Sequence, residues 1–205
     1  VFHSLDAYEK STGQIHVFER ESCAFGYRES VFKGSLRNRF LITAVRLMLT
    51  SGQHQLRLDY GDIQRVLAQE NVAHPTIAHV AKAVESIRRE KLPDPAYLGN
   101  AGSFFKNPIV AKGLADKLLQ TNPTMPVYES GHDGGLRKLA AGWLIEQCGW
   151  KGKRVGQVGV HDRQALVIVN YGGATGEEIW ALAQQVQASV RQRFGILLEP
   201  EVNIL

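Results

Sequence analysis

The chain has little of what usually announces a metal, redox or membrane protein. Only two of its 205 residues are cysteine, Cys23 and Cys148, and they stand far apart. They match no zinc or redox spacing, so two free thiols of a reducing compartment are expected. The seven histidines form no His-x-x-His or His-Glu-x-x-His pattern, which argues against a metal centre. No apolar run approaches the roughly 20 residues of a membrane span, and no signal peptide is visible. The excess of positive charge is small, 24 Lys and Arg against 20 Asp and Glu, for a net +4 and a pI near 9.1. That balance suits an anionic ligand but does not make a case for nucleic acid. There is no internal repeat or low-complexity tract. The first residues, Val1-Phe2-His3-Ser4, include no initiator methionine, so a piece of a longer protein is expected.

What is present is ordinary globular material, 44% apolar and 21% charged, in a chain long enough for a real core. The first sixty residues read as antiparallel strands. Gln14 to Val17 alternates, and Phe40 to Leu49 is a long apolar run. Gln53 to Tyr60 puts Leu56, Leu58 and Tyr60 on one face, after a hairpin turn at Ser51-Gly52. The spacing then becomes helical. Thr76 can cap a helix with Ile77, Val80, Ala81, Val84 and Ile87 on one face and Arg88, Arg89 and Lys91 at its end. Shorter helices are predicted over about 110–120 and 136–148. Gln164 to Asn170 reads as a buried strand. Thr175 and Glu178 form a capping box for a helix that ends at Gly195. Ile196-Leu197-Leu198 should open a last strand that lies in one sheet with the strand before the helix. The fold class is α+β, with a β-rich part at 1–70 and an α/β domain at 71–205.

The run Gly99 to Pro108 carries the densest chemistry: two glycines for close approach, then Ser103, Lys106 and Asn107. It is neither a dinucleotide fingerprint nor a P-loop. Upstream lie Arg28 among aromatics, Tyr60 beside Gly61 and Asp62, and the basic helix end at Lys91. Glu199-Pro200-Glu201 lies near the tail. Each has a plain alternative: a surface arginine, a core tyrosine, a solvated helix terminus, a solvated chain end. Together they suit an anionic substrate that develops negative charge. Arg28 would hold a carboxylate, Lys91 a phosphate, and Ser103 would exchange a proton.

In this order the clusters resemble the UDP-N-acetylenolpyruvoylglucosamine reductase family, MurB-type. The matching pieces are Phe25 to Lys33, Tyr60 to Asp62, Lys91 to Pro95, Gly99 to Pro108, Lys138 to Ile145 and Leu198 to Val202. They span nearly the whole chain. The resemblance implies a flavoenzyme, a cytoplasmic bacterial oxidoreductase of peptidoglycan precursor synthesis. In it NADPH reduces FAD, and the flavin passes a hydride to UDP-N-acetylglucosamine enolpyruvate. By motif, Ser103 matches the proton donor, and Arg28 and Glu201 the pair that stabilises the enol. Tyr60, Lys91, Asn107 and Gln164 match groups that hold the UDP part, with Tyr128 a weaker candidate there.

The family's glycine-rich FAD-binding segments find no match. Residues 1–70 therefore read as the C-terminal part of a flavin domain, and the isolated chain is expected to hold no stoichiometric FAD and to be inactive. The parent is expected to act as a monomer on a UDP-sugar, without nucleic acid, membrane or metal. The alternative is a non-catalytic UDP-sugar-binding module.

Overall fold

The computed structural model describes residues 1–59, 61–131 and 134–204. The chain forms two compact units, Val1–Arg57 and Leu58–Leu205. In the first, strands β1 (Phe2–Glu9), β2 (Ile15–Glu19) and β3 (Phe40–Leu47) make an antiparallel sheet of order β2-β1-β3. The β1–β2 register runs from Ser4 opposite Glu19 to Tyr8 opposite Ile15. Alternation places Leu5 and Ala7 on one face of β1, where they meet Cys23. Half-buried Phe18, Phe32 and Phe40 close this small core edge-on, with ring centroids 5.0 to 6.2 Å apart.

The strand expected over residues 53–60 does not form among 53–59, so the hairpin expected at Ser51-Gly52 has no second arm. Its alternation is real but finds no pairing partner. Leu58 instead packs on the helices that follow. Those are α1 (Ile63–Gln69) and α2 (Ile77–Lys91), and α1 belongs to the second unit although it precedes residue 70. Thr76 caps α2 in a capping box whose third helical residue is His79, not a carboxylate. The buried stripe of α2 is Val80, Ala83 and Ile87. Ile77 and Val84 of the expected face are 54% and 37% exposed, because α1 covers only a narrow strip.

The rest of the second unit holds two antiparallel sheets. One has the order β4-β10-β9-β8, from β4 (Gly99–Ser103), β8 (Arg154–Val155), β9 (Val158–Val160) and β10 (Val167–Asn170). The other has the order β5-β7-β6, from β5 (Ile109–Ala111), β6 (Val127–Ser130) and β7 (Leu136–Leu139). Helix α3 (Lys112–Thr121) lies close to the expected span. The helix expected over 136–148 begins as β7 and becomes α4 (Ala141–Gln147) only after Ala140. Helix α5 (Gly176–Phe194) has the expected capping box, and Gly195 ends it at φ +71°. Its apolar stripe of Leu182, Val186, Val190 and Phe194 closes the core over β9 and β10.

After α5 the strand expected to open at Ile196 and share a sheet with β10 does not form. Residues 199–201 run antiparallel to 104–106 instead: Lys106 N–H donates to Glu199 O (2.9 Å) and Glu201 N–H to Phe104 O (2.8 Å). Phe105 bridges Pro200 between them. Leu198 and Phe105, both nearly fully buried, are anchored by this pairing. Among the described residues no helix is long and apolar enough to cross a membrane.

Candidate functional site

The second unit brings several expected residues to one cleft. A cavity of about 740 Å³ is lined by Lys91, Asn107, Tyr128, Lys138, Arg163 and Gln164, among others. A second cavity of about 560 Å³ is lined by Lys91, Tyr128 and Gln164 again, with Asp62 and Arg88. Lys91 reaches it as the last residue of α2, Tyr128 from β6, and Gln164 from the turn before β10. Cations outnumber carboxylates on the larger wall. Lys151 is offset by Glu146 at 3.0 Å and Lys91 by Asp62, a residue of the second cavity, at 2.5 Å, while Lys138 and Arg163 add positive charge to the same lining. Such a wall favours an anion such as a diphosphate.

Each residue has a local reason for its place. Asn107 Oδ1 accepts the Ala141 N–H at 2.9 Å, which ties the start of α4 to the loop after β4. Its Nδ2 makes no hydrogen bond among the described residues, so two donors remain for a ligand. Gly142 lies against Gln164: a Cβ there would make ordinary contact with Gln164 Oε1 at 3.4 Å. Tyr128 stands opposite Lys138 across β6 and β7, with Lys138 Nζ 5.7 Å from the ring centroid.

Lys91 Nζ donates to Asp62 Oδ2 at 2.5 Å. That hydrogen bond, then the lysine's charge, holds the Asp62 carboxyl below its ordinary value. The sequence offers no sign of this pair, since its members lie on two helices whose packing cannot be read from spacing. Lys138 and Arg163 were missed as cleft cations for the same reason.

Ser103 ends β4, exposed and opposite Val167 of β10. Asn100 Oδ1 accepts the Gly102 N–H at 3.0 Å, and Gly102 has φ +72°, which only glycine adopts without strain. This turn sets the direction in which Ser103 leaves. The tail pairing places half-buried Glu201 opposite Phe104, the residue after Ser103. Lys106 meets Glu199 at 3.3 Å alongside.

Arg28 belongs to the first unit. It sits at the tip of a tight Gly26–Glu29 turn, closed by a hydrogen bond of 2.9 Å from Gly26 N–H to Glu29 O. Its φ is +59°, and left-handed backbone at a non-glycine costs on the order of 1 kcal/mol. Lys33 Nζ donates to its carbonyl at 2.8 Å and holds the turn. Ala24 and Asn38 of the same unit also have positive φ, +43° and +64°, so the strain is a property of these turns. Tyr60 lies outside the described residues.

The flavin that the resemblance implies needs a backbone cradle for its diphosphate. Around Arg28 the candidate positions are Gly26 and Gly34. A Cβ at Gly26 would make ordinary contact with Glu29 Cβ at 3.6 Å, and one at Gly34 would meet only carbonyl oxygens at 3.9 Å. Neither glycine is required by its protein neighbours.

The family model "UDP-N-acetylenolpyruvoylglucosamine reductase, C-terminal domain" matches residues 94–205. A UDP-N-acetylenolpyruvoylglucosamine reductase of Pseudomonas aeruginosa is 53% identical over 204 residues, covering 100% of this chain and 59% of that protein. One from Amoebophilus asiaticus is 52% identical, covering 100% of this chain and 60% of its own length. The chain thus spans about three fifths of these relatives. Among solved structures, the reductase (MurB) from Thermus caldophilus aligns over 98% of this chain and 52% of its own, with a TM-score of 0.57 at 22% identity, a likeness of fold. The α+β architecture agrees with that fold, and the chain belongs to the UDP-N-acetylenolpyruvoylglucosamine reductase family.

Proposed function

We propose that this chain supplies the substrate-holding and proton-donating part of a bacterial, cytoplasmic oxidoreductase that converts UDP-N-acetylglucosamine enolpyruvate to UDP-N-acetylmuramate for peptidoglycan. The observation that carries this reading is the convergence of Lys91, Asn107, Tyr128 and Gln164 on one cation-lined cleft. In this reading FAD, reduced by NADPH, supplies the hydride. The chain's own residues bind, orient and protonate.

Lys91 balances diphosphate charge, and its attraction grows as the filled cleft loses water. Asn107 Nδ2 and Gln164 donate or accept at the nucleotide's polar edges, and Tyr128 covers it. Tyr60 adds a phenol to the same group. Arg28 fits the substrate carboxylate through its planar fork and stabilises the enol that develops beside it, with Glu201 as the second member of that pair. Ser103 then gives its Oγ proton to the carbon next to the carboxylate, where a C–H bond forms, and regains a proton from solvent. Serine is a weak acid in water, but a carbanion-like centre within hydrogen-bond reach is basic enough to take its proton.

Titration of the 205-residue chain with UDP tests the cleft. Binding on the order of micromolar is expected, and it should weaken at least about tenfold in Lys91→Met, the scale of a lost charged contact. Equal affinity in the variant would sink the assignment. A non-catalytic UDP-sugar-binding module is the second reading, favoured because the whole cleft lies in one unit. Ser103→Ala in a flavin-containing protein that includes this sequence separates the two. The catalytic reading requires substrate reduction to slow about 10²- to 10⁴-fold while flavin reduction by NADPH is preserved.

A further inference from the structure

A carboxylate stands where the cleft otherwise suits an anion. Asp62 lines the smaller cavity with Lys91, Tyr128 and Gln164. Its Oδ2 accepts from Lys91 Nζ, and its Oδ1 lies 3.9 Å from Arg65 Nε. Arg65 is shared with Glu90 at 3.7 Å, so Lys91 is the tighter partner. Asp62 is also the N-cap residue of α1, yet its side chain makes no capping hydrogen bond. An aspartate there ordinarily accepts from the helix's first N–H groups. This one is turned to the lysine instead. The pair is held by the fold: Asp62 starts α1, Lys91 ends α2, and the two helices pack through Ile63, Val66, Leu67 and Ala83.

We propose that Asp62 is a displaceable counter-ion of Lys91, which the diphosphate of a nucleotide ligand replaces on Nζ. This rests on the reading of the cleft as a UDP site. The carboxylate is tethered, so its local concentration at Nζ is high and it competes with every incoming anion. It is not locked in place, because the side chains of Lys91 and Asp62 are 45% and 36% exposed, and a pair so solvated is worth little. A diphosphate brings more charge and more acceptor oxygens than one carboxylate, so it can win the exchange. Until then the lysine stays ordered and its charge is satisfied. Affinity is given up for a pre-placed cation.

Calorimetric titration of the full chain and of Asp62→Asn with UDP, inorganic pyrophosphate and uridine tests this. Asparagine keeps the shape and the N-cap preference but removes the charge. UDP and pyrophosphate should bind about two- to fivefold tighter to the variant, the range an exposed ion pair supports, and uridine should not change. In a Lys91→Met background the gain should vanish. Asp62→Glu, which keeps the charge, should behave like the parent, and a thermal melt checks that each variant is folded. A weaker or equal affinity of Asp62→Asn for UDP would overturn the proposal, as would a gain that persists without Lys91. If neither the parent nor the variant binds UDP, the reading of the cleft falls and takes this inference with it. If the parent binds and the asparagine variant binds no tighter, only the inference falls.

Discussion

The two units are held together by different means. Among the described residues, twenty buried apolar side chains form one cluster in the second unit, against three in the first. The first unit relies instead on edge-on rings and on ion pairs across its sheet. Asp6 holds Arg46 through two hydrogen bonds of 2.5 and 2.6 Å, and Glu9 holds Arg39 at 3.1 Å. Strand β3 shows the contrast well. Its Leu41, Val45 and Leu47 are 58%, 54% and 55% exposed, although their β-branched and aliphatic pattern is that of a buried strand. Apolar sequence alone therefore does not say where a core is. Burial needs a second layer, and the second unit has one in α5.

The difference is sharpest in the cost of losing packing. Leu144 on α4 is fully buried in the large cluster, and Leu144→Ala should cost about 2 to 5 kcal/mol in urea denaturation. A loss under about 1 kcal/mol would mean that this core can collapse onto the vacancy, and the contrast would weaken. In the first unit the informative change is Phe40→Leu. Phe40 meets Phe18, Phe32 and His16 edge-on, at 5.2, 6.2 and 5.6 Å. Ring pairs contribute about 0.5 to 1.5 kcal/mol each, so the loss of all three at the low end of that range, about 1.5 kcal/mol, is expected by the same measurement, since these rings are only half-buried. A negligible loss would show that the rings only fill space.

The second unit was also the more legible in sequence, and for a physical reason. Helix α5 carries its own start, stripe and stop in Thr175, Leu182 to Phe194 and Gly195, all local signals. Thr175→Ala should cost about 1 kcal/mol by thermal melting. The same change at Thr76 should cost less, since its hydrogen bond to the His79 N–H is longer, 3.4 against 3.2 Å. What failed were choices among distant partners. The tail after α5 was expected in one sheet with β10 and pairs with 104–106; the segment over 53–59 alternates but finds no neighbour. The site divides the same way. Ser103, Lys91 and Arg28 stand in recognisable local runs. The tie between Asp62 and Lys91, and the arrival of Arg163 and Lys138 at the cleft, depend on elements far apart in the chain and left no local mark.

Acid should separate the units by the least cost but the clearest sign. In the first, the hydrogen bonds from Arg46 to Asp6, and from Thr12 and Arg39 to Glu9, hold both carboxyls below their ordinary values of 3.8 and 4.5. A lowered carboxyl stabilises above its unfolded pKa, and that stability is lost as pH falls through the folded value. These pairs are solvated, so the loss starts only below about pH 4.5 and is small. Asp62 in the second unit behaves alike, below its ordinary 3.8. His161, also in the second unit, differs. It is 6% exposed, and its Nδ1 accepts the Arg163 N–H at 3.3 Å. Burial pushes its pKa below the ordinary 6.5, and the Asp162 charge only partly opposes this. The unfolded chain then binds a proton that the folded imidazole resists, so stability falls as pH drops below 6.5. All three tryptophans, Trp143, Trp150 and Trp180, lie in the second unit and report on it alone. Their fluorescence should show a lower urea midpoint at about pH 5.5 than at about pH 7.5, and His161→Gln should remove that drop. A midpoint that stays constant over this range would mean that His161 takes up its proton in the folded state as easily as in the unfolded one.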